Sequence, residues 1–436
     1  MNNTGQKLYL KAKKVILGGN MLLSKRPEMT LPNLWPAYYS KSNKIFVWDL
    51  DNKKYIDMIC FVGQNILGYA NKSVDKFVFK NAAKGNMTSL NCPEEVILAN
   101  KLIELHPWAK VAKFARSGGE ANAMSIRIAR ASTKRDHIAI CGYHGWHDWY
   151  LSVNLSGKNK LNNHHLPGLL PDGVPKNLKN TVHPFNYGDF EKLKKISKKY
   201  KLAAIKMEVA RNALPDRDFL KKIRKFATKN KIVLIFDECT SGFRRNLGGL
   251  HMTQKIYPDM CMFGKALGNG YAITAVIGKK NIMNKAKNSF ISSTFWSERI
   301  GFLAGIRTID VMKKIKSWEK IIKSGKYLSE KIKELAKKYE LSINVGGIDS
   351  ITYYSFNSKK NLKYKTFISQ EMLKKGYLAS NITFLTIFHT KNVIDEFIKN
   401  LDPIFLKISK FENNKINVDN FLKGPVCHAT FKRLTD

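Results

Sequence analysis

The chain has 436 residues, a length that excludes a single small core and favours one large and one smaller domain. Its 44% hydrophobic and 25% charged residues are typical of a globular protein and exclude a disordered or fibrous chain. No apolar run approaches the roughly 18 residues of a membrane-spanning helix, and the first residues lack the pattern of a secretory signal. We therefore expect a cytoplasmic protein with no membrane partner.

The formal net charge of +41 raises nucleic-acid binding as one interpretation. However, only 13 of the 75 basic residues are arginines, and the lysines are spread along the chain rather than gathered in one stripe. Arginine is the residue preferred for reading bases and for bidentate phosphate contacts. The charge therefore indicates a lysine-biased composition, and we expect no nucleic-acid partner.

Short apolar runs alternate with helical segments through the middle of the chain, for example the helices predicted over Phe190–Lys199 and Asp218–Lys229. This alternation predicts an α/β fold whose central sheet is mostly parallel and covered on both faces. In such sheets, ligands bind beyond the carboxyl ends of the strands. The predicted strands are Val111–Ala115, His137–Cys141, Ala203–Met207, Ile232–Phe236, Met260–Phe263 and Ala272–Gly278.

The region from residue 306 onward has a different pattern of predicted helices and strands. It opens with an amphipathic helix that carries Ile306, Ile309 and Met312, and short strands and another helix follow. We predict a smaller α+β domain over 306–436, an N-terminal segment over 1–50 that packs with it, and a large domain over 51–305.

A glycine-rich turn follows the first predicted strand of the large domain. Ser117, Gly118 and Gly119 precede a segment with apolar or small residues at helical spacing. Glycines at a strand-to-helix turn let backbone N–H groups approach an anion, and the helix N-terminus adds positive potential. Taken alone, the turn is more typical of an ordinary tight turn, because glycine-rich turns are common.

Aromatic and histidine side chains follow the second of these strands. Tyr143 could stack on a planar cofactor, or it could pack on the core. His144 and His147, followed by Asp148, suggest a metal site, but no further ligand completes a known spacing. We therefore predict no metal, and we expect the six cysteines to be reduced thiols.

Two further residues could carry chemistry. Asp237 follows five apolar residues that predict a buried strand, and a buried carboxylate needs a partner such as a protonated ring nitrogen. Otherwise it caps the next turn. Lys265 lies between an apolar run and a glycine-rich turn, where burial favours the neutral amine that forms a Schiff base. One lysine among many has little weight by itself.

The order of these features resembles the class-III aminotransferases among the fold-type I pyridoxal-phosphate enzymes, most closely the glutamate-1-semialdehyde 2,1-aminomutase branch. The similarity extends over most of the chain. The matching segments are Ile45–Asp57, Arg116–Ala129, Tyr143-His144-Gly145, Asp237-Glu238, Gly264–Gly268, Gly301 and His389-Thr390.

The resemblance implies pyridoxal phosphate as the cofactor and gives each matching residue a role. Lys265 would hold the cofactor as a Schiff base and move the proton, and Asp237 would pair with the ring nitrogen. Tyr143 would stack on the ring. The remaining implied cofactor-binding residues are Ser117, Gly118 and Gly119 at the phosphate, Thr294 at the phosphate of the neighbouring subunit in a homodimer, Glu208 on the substrate side, and Asn212 near the ring hydroxyl.

The segments that surround the substrate depart from the aminomutase branch. Gly18-Gly19 is followed by Asn20–Pro27 rather than by a Pro-Val-Arg type segment, and residues 379–385 carry no acid. We therefore predict an intermolecular aminotransferase that acts on a small-molecule amino donor and a carbonyl acceptor. The alternatives are an aminomutase and, in another class, a lysine-rich binder of nucleic acid or anionic surfaces with an inactive enzyme fold.

Overall fold

The computed structural model describes residues 3–157, 160–162, 164, 168–210 and 213–429. In this part of the chain the α-helices are α1 Thr4–Val15, α2 Lys72–Ala82, α3 Glu94–Leu105, α4 Gly118–Thr133, α5 Asp148–Leu151, α6 Phe190–Lys199, α7 Arg217–Lys229, α8 His251–Gln254, α9 Lys280–Met283, α10 Arg299–Ile315, α11 Ser317–Lys338, α12 Asn361–Lys374 and α13 Lys391–Glu412.

The β-strands belong to three sheets. They are β1 Tyr39–Asn43, β2 Phe46–Asp49, β3 Lys54–Asp57, β4 Val111–Ala115, β5 His137–Cys141, β6 Val182–Pro184, β7 Leu202–Glu208, β8 Val233–Asp237, β9 Met260–Phe263, β10 Thr274–Gly278, β11 Ile343–Ile348, β12 Ile351–Phe356, β13 Tyr377–Leu378 and β14 Ile382–Phe384.

One compact unit, Lys72–Lys316, contains the seven-stranded sheet in the order β4-β10-β9-β8-β7-β5-β6. Strand β10 is antiparallel to both of its neighbours, and the pairs from β9 to β6 are all parallel. The prediction of an α/β fold with a mostly parallel central sheet is confirmed. Every residue of β7, β8 and β9 is buried, as expected for central strands of a sheet covered on both faces.

The other compact unit joins Met1–Asn71 to Ser317–Asp436. Strands β1, β2, β3 and β13 form one sheet, in which β13 from the C-terminal part pairs in parallel with β3 from the N-terminal part. Strands β11, β12 and β14 form a separate antiparallel sheet. This unit has the α+β character predicted for the C-terminal region.

Helix α10 begins earlier than predicted and belongs to the central unit. The sequence placed residues 306–315 at the start of the C-terminal domain, whereas the boundary between the units falls at Lys316. The reason is packing within the central unit. Arg299 forms an ion pair with Glu94 of α3, and a Cβ at Gly305 would lie 3.0 Å from a Leu98 methyl group.

No helix in the described ranges combines the length and the apolar composition that crossing a lipid bilayer requires.

Candidate active site

The carboxyl ends of five strands lie at one edge of the central sheet. Strand β4 runs in the same direction as β9, because each is antiparallel to β10, and β5, β7 and β8 are parallel to β9. The residues that follow these strands are therefore delivered to the same rim. They are Ser117 after β4, Tyr143 after β5, Glu208 and Asp237 at the ends of β7 and β8, and Lys265 after β9.

The glycine-rich turn forms the N-terminus of the long helix α4. Ser117 is the N-cap: its hydroxyl accepts the Glu120 N–H at 3.3 Å, while Glu120 Oε2 accepts the Ser117 N–H at 2.7 Å. This reciprocal capping box fixes the first helical turn. Ser117 is exposed, and the N–H groups at Gly118 and Gly119 belong to the first turn, so the positive end of the helix is available to an anion.

Close backbone approaches bring the loops of this rim together. A Cβ at Gly118 would lie 3.8 Å from Cys239 Sγ, and one at Gly264 would lie 3.4 Å from the same sulfur. A Cβ at Gly145 would lie 3.2 Å from the Gly119 Cα. One cluster at the rim thus contains the glycine-rich turn, the loop after β5, the loop after β8 and the residues around Lys265.

Asp237 is buried and ionised. Its Oδ2 accepts a hydrogen bond from His144 Nδ1 at 2.8 Å, and its Oδ1 accepts the Cys239 N–H at 3.1 Å. Burial alone would raise the pKa of this carboxyl, but the hydrogen bond from His144 and the charge of Lys206 hold the pKa well below its usual range. A carboxylate has about four acceptor positions, so two contacts leave capacity for a cationic ring nitrogen.

His144 and His147, whose spacing suggested a metal site, contact different groups. The Nδ1 of His144 faces the Asp237 carboxylate, and its ring is fully buried beside Trp149 and Tyr150. His147 lies instead against the turn of α4, where its Cε1 would be 2.6 Å from a Cβ at Gly119. The two histidines therefore support different parts of the rim.

Glu208 supports the loop that carries Tyr143. Its Oε2 accepts the Tyr143 N–H at 3.0 Å, and a Cβ at Gly142 would lie 2.5 Å from the same oxygen. Gly142 has a φ of +112°, a conformation that favours glycine. The Tyr143 ring is half-buried and meets the Tyr150 ring edge-on, with 5.9 Å between the centroids.

Lys265 reaches the loop after Asp237. Its Nζ donates a hydrogen bond to Thr240 Oγ1 at 2.7 Å, three residues beyond Asp237. The side chain is half-buried, and the backbone is in the left-handed region with a φ of +44°. Strained residues of this kind concentrate at functional sites. No pattern in the sequence indicated the Thr240 contact, since it depends on how two loops meet.

One predicted residue is not part of this cluster. Thr294 is exposed in the segment that leads to α10. That segment is anchored next to the turn of α4, because Trp296 Nε1 donates to Glu120 Oε1 at 3.0 Å and Arg116 donates to the Trp296 carbonyl at 3.0 Å. Asn212 lies outside the described residues.

Glu238, His251 and Cys261 bring three potential metal-binding atoms close together in the core. Hydrogen bonds already occupy the carboxylate: Glu238 Oε1 contacts His251 Nδ1 at 2.6 Å, and its Oε2 accepts from Ser241 and from the Leu250 N–H. Trp108 donates to the other nitrogen of His251 at 2.9 Å. This network is a satisfied structural group that fixes the chain just after Asp237.

The residues at the rim fit pyridoxal phosphate. An open helix N-terminus with two glycines and a serine hydroxyl suits the phosphate, and the buried ionised Asp237 suits a protonated ring nitrogen. Lys265 supplies an amine beside them. These are the three kinds of group that such a cofactor requires.

Comparisons with known proteins identify the family of this chain. Residues 31–402 match the family model described as aminotransferase class-III. The 3-aminobutyryl-CoA aminotransferase of Cloacimonas acidaminovorans is 31% identical over 368 residues, which are 82% of this chain and 84% of that protein. The glutamate-1-semialdehyde 2,1-aminomutase of Wigglesworthia glossinidia brevipalpis is 30% identical over 442 residues, covering 95% of this chain and 99% of that protein.

Solved structures share the fold. The internal-aldimine form of the Sphingopyxis sp. MTA144 FumI protein superposes with a TM-score of 0.85 at 23% identity, covering 96% of this chain and all of that one. An omega-transaminase from Sphaerobacter thermophilus gives a TM-score of 0.82 at 21% identity, covering 94% and 98% of the two chains. Together with the family match, these results show that the chain belongs to the class-III aminotransferases, the pyridoxal-phosphate-dependent enzymes that include aminotransferases and aminomutases.

Proposed function

We propose that this chain is an intermolecular aminotransferase that binds pyridoxal phosphate at Lys265 and uses a small-molecule amino donor and a carbonyl acceptor. The observation that carries the proposal is the meeting of Lys265 and Asp237 at one rim, where the Lys265 amine contacts Thr240, three residues beyond Asp237. In the net reaction the donor leaves as a carbonyl compound, and the acceptor leaves as an amine.

When bound, the cofactor supplies an aldehyde that condenses with amines and a ring that withdraws electrons from the substrate carbon. The protein residues hold and orient it. Ser117, Gly118 and Gly119 would bind its phosphate at the N-terminus of α4, and Asp237 would hold the positive charge on its ring nitrogen. Lys265 Nζ, released from Thr240, would accept and return the proton of the substrate carbon.

Tyr143 and Glu208 would act as one supporting unit. The Glu208 carboxylate fixes the backbone of Tyr143, so that the aromatic ring is positioned before a ligand binds. In this proposal Glu208 serves the cofactor side through the loop, and Tyr143 covers the ring. The resemblance to the family alone makes Asn212 a candidate for a contact with the ring hydroxyl of the cofactor.

We also propose that the active form is a homodimer in which Thr294 contributes to the phosphate site of a second copy. Thr294 is exposed, and the segment that carries it is anchored by Trp296 beside the phosphate-binding turn. A residue that faces outward next to its own site is well placed to serve a neighbouring one.

The experiment is reconstitution of the purified chain with pyridoxal phosphate, followed by a donor and acceptor screen. We expect a visible absorption band that Lys265→Ala abolishes and that Lys179→Ala, at an exposed loop lysine, leaves intact. We also expect amino transfer to depend strictly on a second, carbonyl substrate. A chain that does not bind the cofactor would refute both the aminotransferase and the aminomutase.

The second candidate is an aminomutase, in which one molecule exchanges its amino and carbonyl positions. It is favoured by relatives with that name that cover 95% and 93% of this chain at 30% and 28% identity. Turnover of glutamate-1-semialdehyde without any separate donor would select this candidate over the aminotransferase.

A further inference from the structure

Strand β7 contains a lysine in the middle of the core. Lys206 is fully buried, and its neighbours Ala204, Ile205 and Met207 are apolar and equally buried. Removing an ammonium group from water is costly unless another group compensates its charge. A lysine at this position therefore needs a reason, and the amino-transfer roles assigned above do not supply one.

The side chain of Lys206 lies between the central sheet and helix α4. Its Nζ donates to Ser125 Oγ of α4 at 3.0 Å and lies 2.8 Å from Met262 Sδ of β9. Both of these groups are neutral. Among the described residues, the hydrogen bonds of the ammonium thus leave its charge uncompensated, and the compensation has to come from a charge that is farther away.

That charge is the Asp237 carboxylate. In the register of β7 and β8, Glu208 lies opposite Asp237, so their side chains are on the same face of the sheet. Lys206 precedes Glu208 by two residues and therefore shares that face. Met262, which touches the ammonium, is the partner of Asp237 on the other side. Lys206 is thus beneath Asp237 as seen from the rim.

The electrostatic effect is mutual. Burial lowers the pKa of Lys206 to about 8, while the negative charge of Asp237 acts to raise it, so the ammonium form persists at neutral pH. In return, Lys206 is one of the groups that lower the pKa of Asp237. The other groups facing Asp237 are His144 and the Cys239 N–H, and the thiols Cys239 and Cys261 near Lys206 are held neutral because burial raises their pKa.

We propose that Lys206 is a positioning residue for Asp237, whose buried ammonium keeps that carboxylate ionised from inside the sheet. His144 fixes the carboxylate by a hydrogen bond at the rim, and Lys206 adds a positive charge from the core side. The importance of this for the cofactor rests on the proposed function, since an ionised Asp237 is the partner of a protonated ring nitrogen. The pairing of the two charges is independent of it.

A double-mutant cycle in the cofactor-free protein tests the pairing. The variants are Lys206→Met, which keeps the length of the side chain in an apolar pocket, Asp237→Asn, and the combination of the two. We expect the unfolding equilibrium constants to be non-additive by about tenfold or more, as two charges roughly 8 Å apart on adjacent strands predict for an effective dielectric constant of about 20.

The matched control replaces Asp237→Asn by Glu238→Gln. Glu238 is an equally buried carboxylate one residue along the chain, but its partners are His251, Ser241 and the Leu250 N–H. We expect Lys206→Met and Glu238→Gln to be additive. Additivity with Asp237→Asn as well would overturn the proposal, because it would leave Lys206 a purely structural residue.

The second readout is the pH dependence of pyridoxal phosphate affinity. Affinity is lost at low pH as Asp237 becomes protonated, and this loss is the acid limb of the pH profile. Lys206→Met removes a positive charge that favours the ionised carboxylate, so it should move the acid limb to higher pH. Lys206→Gln, which removes the charge but keeps a polar group that can reach Ser125 Oγ, should move it in the same direction, and it serves if Lys206→Met does not fold. An acid limb that moves in neither variant would also overturn the proposal. A wild-type protein that does not bind the cofactor would instead refute the proposed function and leave the apoprotein cycle interpretable.

Discussion

Three residues proposed to meet the cofactor are each fixed by another residue of the rim. Asp237 is fixed by His144, Lys265 is held by Thr240, and the Tyr143 backbone is fixed by Glu208. A supporting group of this kind restricts the orientation of the side chain that meets the ligand. Substitutions of the supporting residues should therefore change cofactor binding without removing any reactive atom.

The His144 hydrogen bond is the clearest case. His144→Leu removes the donor to a buried carboxylate, whereas His144→Asn retains an N–H group near the position of Nδ1. We expect His144→Leu to be less stable than His144→Asn by roughly 1.5–3 kcal/mol at pH 7, the usual worth of a hydrogen bond to a charged group. Urea unfolding of both cofactor-free variants gives the difference, which excludes any contribution from histidine titration.

The sign of the pH dependence follows from the lowered pKa of Asp237. A carboxyl whose pKa is lower in the folded state contributes stability above its unfolded pKa of about 4, and this contribution is lost as pH falls further. The gap between the two variants should therefore be constant from pH 7 to about 5 and become smaller below about 4. A gap that widens in acid would contradict an ionised Asp237.

At the scale of elements, the positions of several strands and the order of the candidate residues that follow them were predictable from the sequence. The contacts between loops were not. Strands β4, β5 and β9 coincide with the predicted residues, since each is a short run of mainly apolar residues bounded by a charged residue or a glycine. Lys206 was hidden in such a run, and the roles of His144 and Thr240 depend on residues about 90 and 25 positions away. The helix at 306–315 was assigned to the wrong unit because periodicity does not reveal the packing partner.

The loop after β5 packs directly on the first turn of α4, which gives a prediction for Gly119. Gly119→Ala would place a Cβ 2.6 Å from His147 Cε1, a contact that requires the imidazole, the loop or the helix to shift. We expect a loss of roughly 1–3 kcal/mol in the free energy of unfolding, as for other overpacked sites, together with weaker pyridoxal phosphate binding.

The double variant Gly119→Ala/His147→Ala tests the cause. Gly119 has a helical backbone, so alanine is otherwise well tolerated there, and removal of the imidazole makes room for the new methyl group. Thermal unfolding should show that the double variant recovers most of the stability lost in Gly119→Ala. An additive loss in the double variant would show that the glycine is required for another reason.

At the scale of the whole molecule, each compact unit contains a buried histidine that must be neutral. In the central unit, His106 Nε2 accepts the Gly249 N–H at 2.9 Å, while its Nδ1 faces the Leu102 carbonyl at 2.7 Å. In the other unit, His389 Nδ1 accepts the Thr386 N–H at 2.9 Å, and Nε2 faces the Asp57 carbonyl at 3.1 Å. Each ring uses one nitrogen as acceptor and the other as donor, which only the neutral form can do.

This arrangement predicts that the cofactor-free protein loses stability in mild acid. Burial lowers the pKa of both histidines to about 4, whereas the unfolded value is about 6.5. Between these values the unfolded chain binds more protons than the folded one, so stability falls as pH decreases from about 6.5 to 4, by up to roughly 3 kcal/mol for each histidine. Because the two residues lie in different units, His106→Asn and His389→Asn should each lower stability at pH 7.5 but flatten part of the acid slope, and their effects on the slope should add. Urea midpoints of the wild type, the two single variants and their double variant between pH 7.5 and 4.5 measure this, and slopes that are unchanged by either substitution would show that other groups govern acid unfolding.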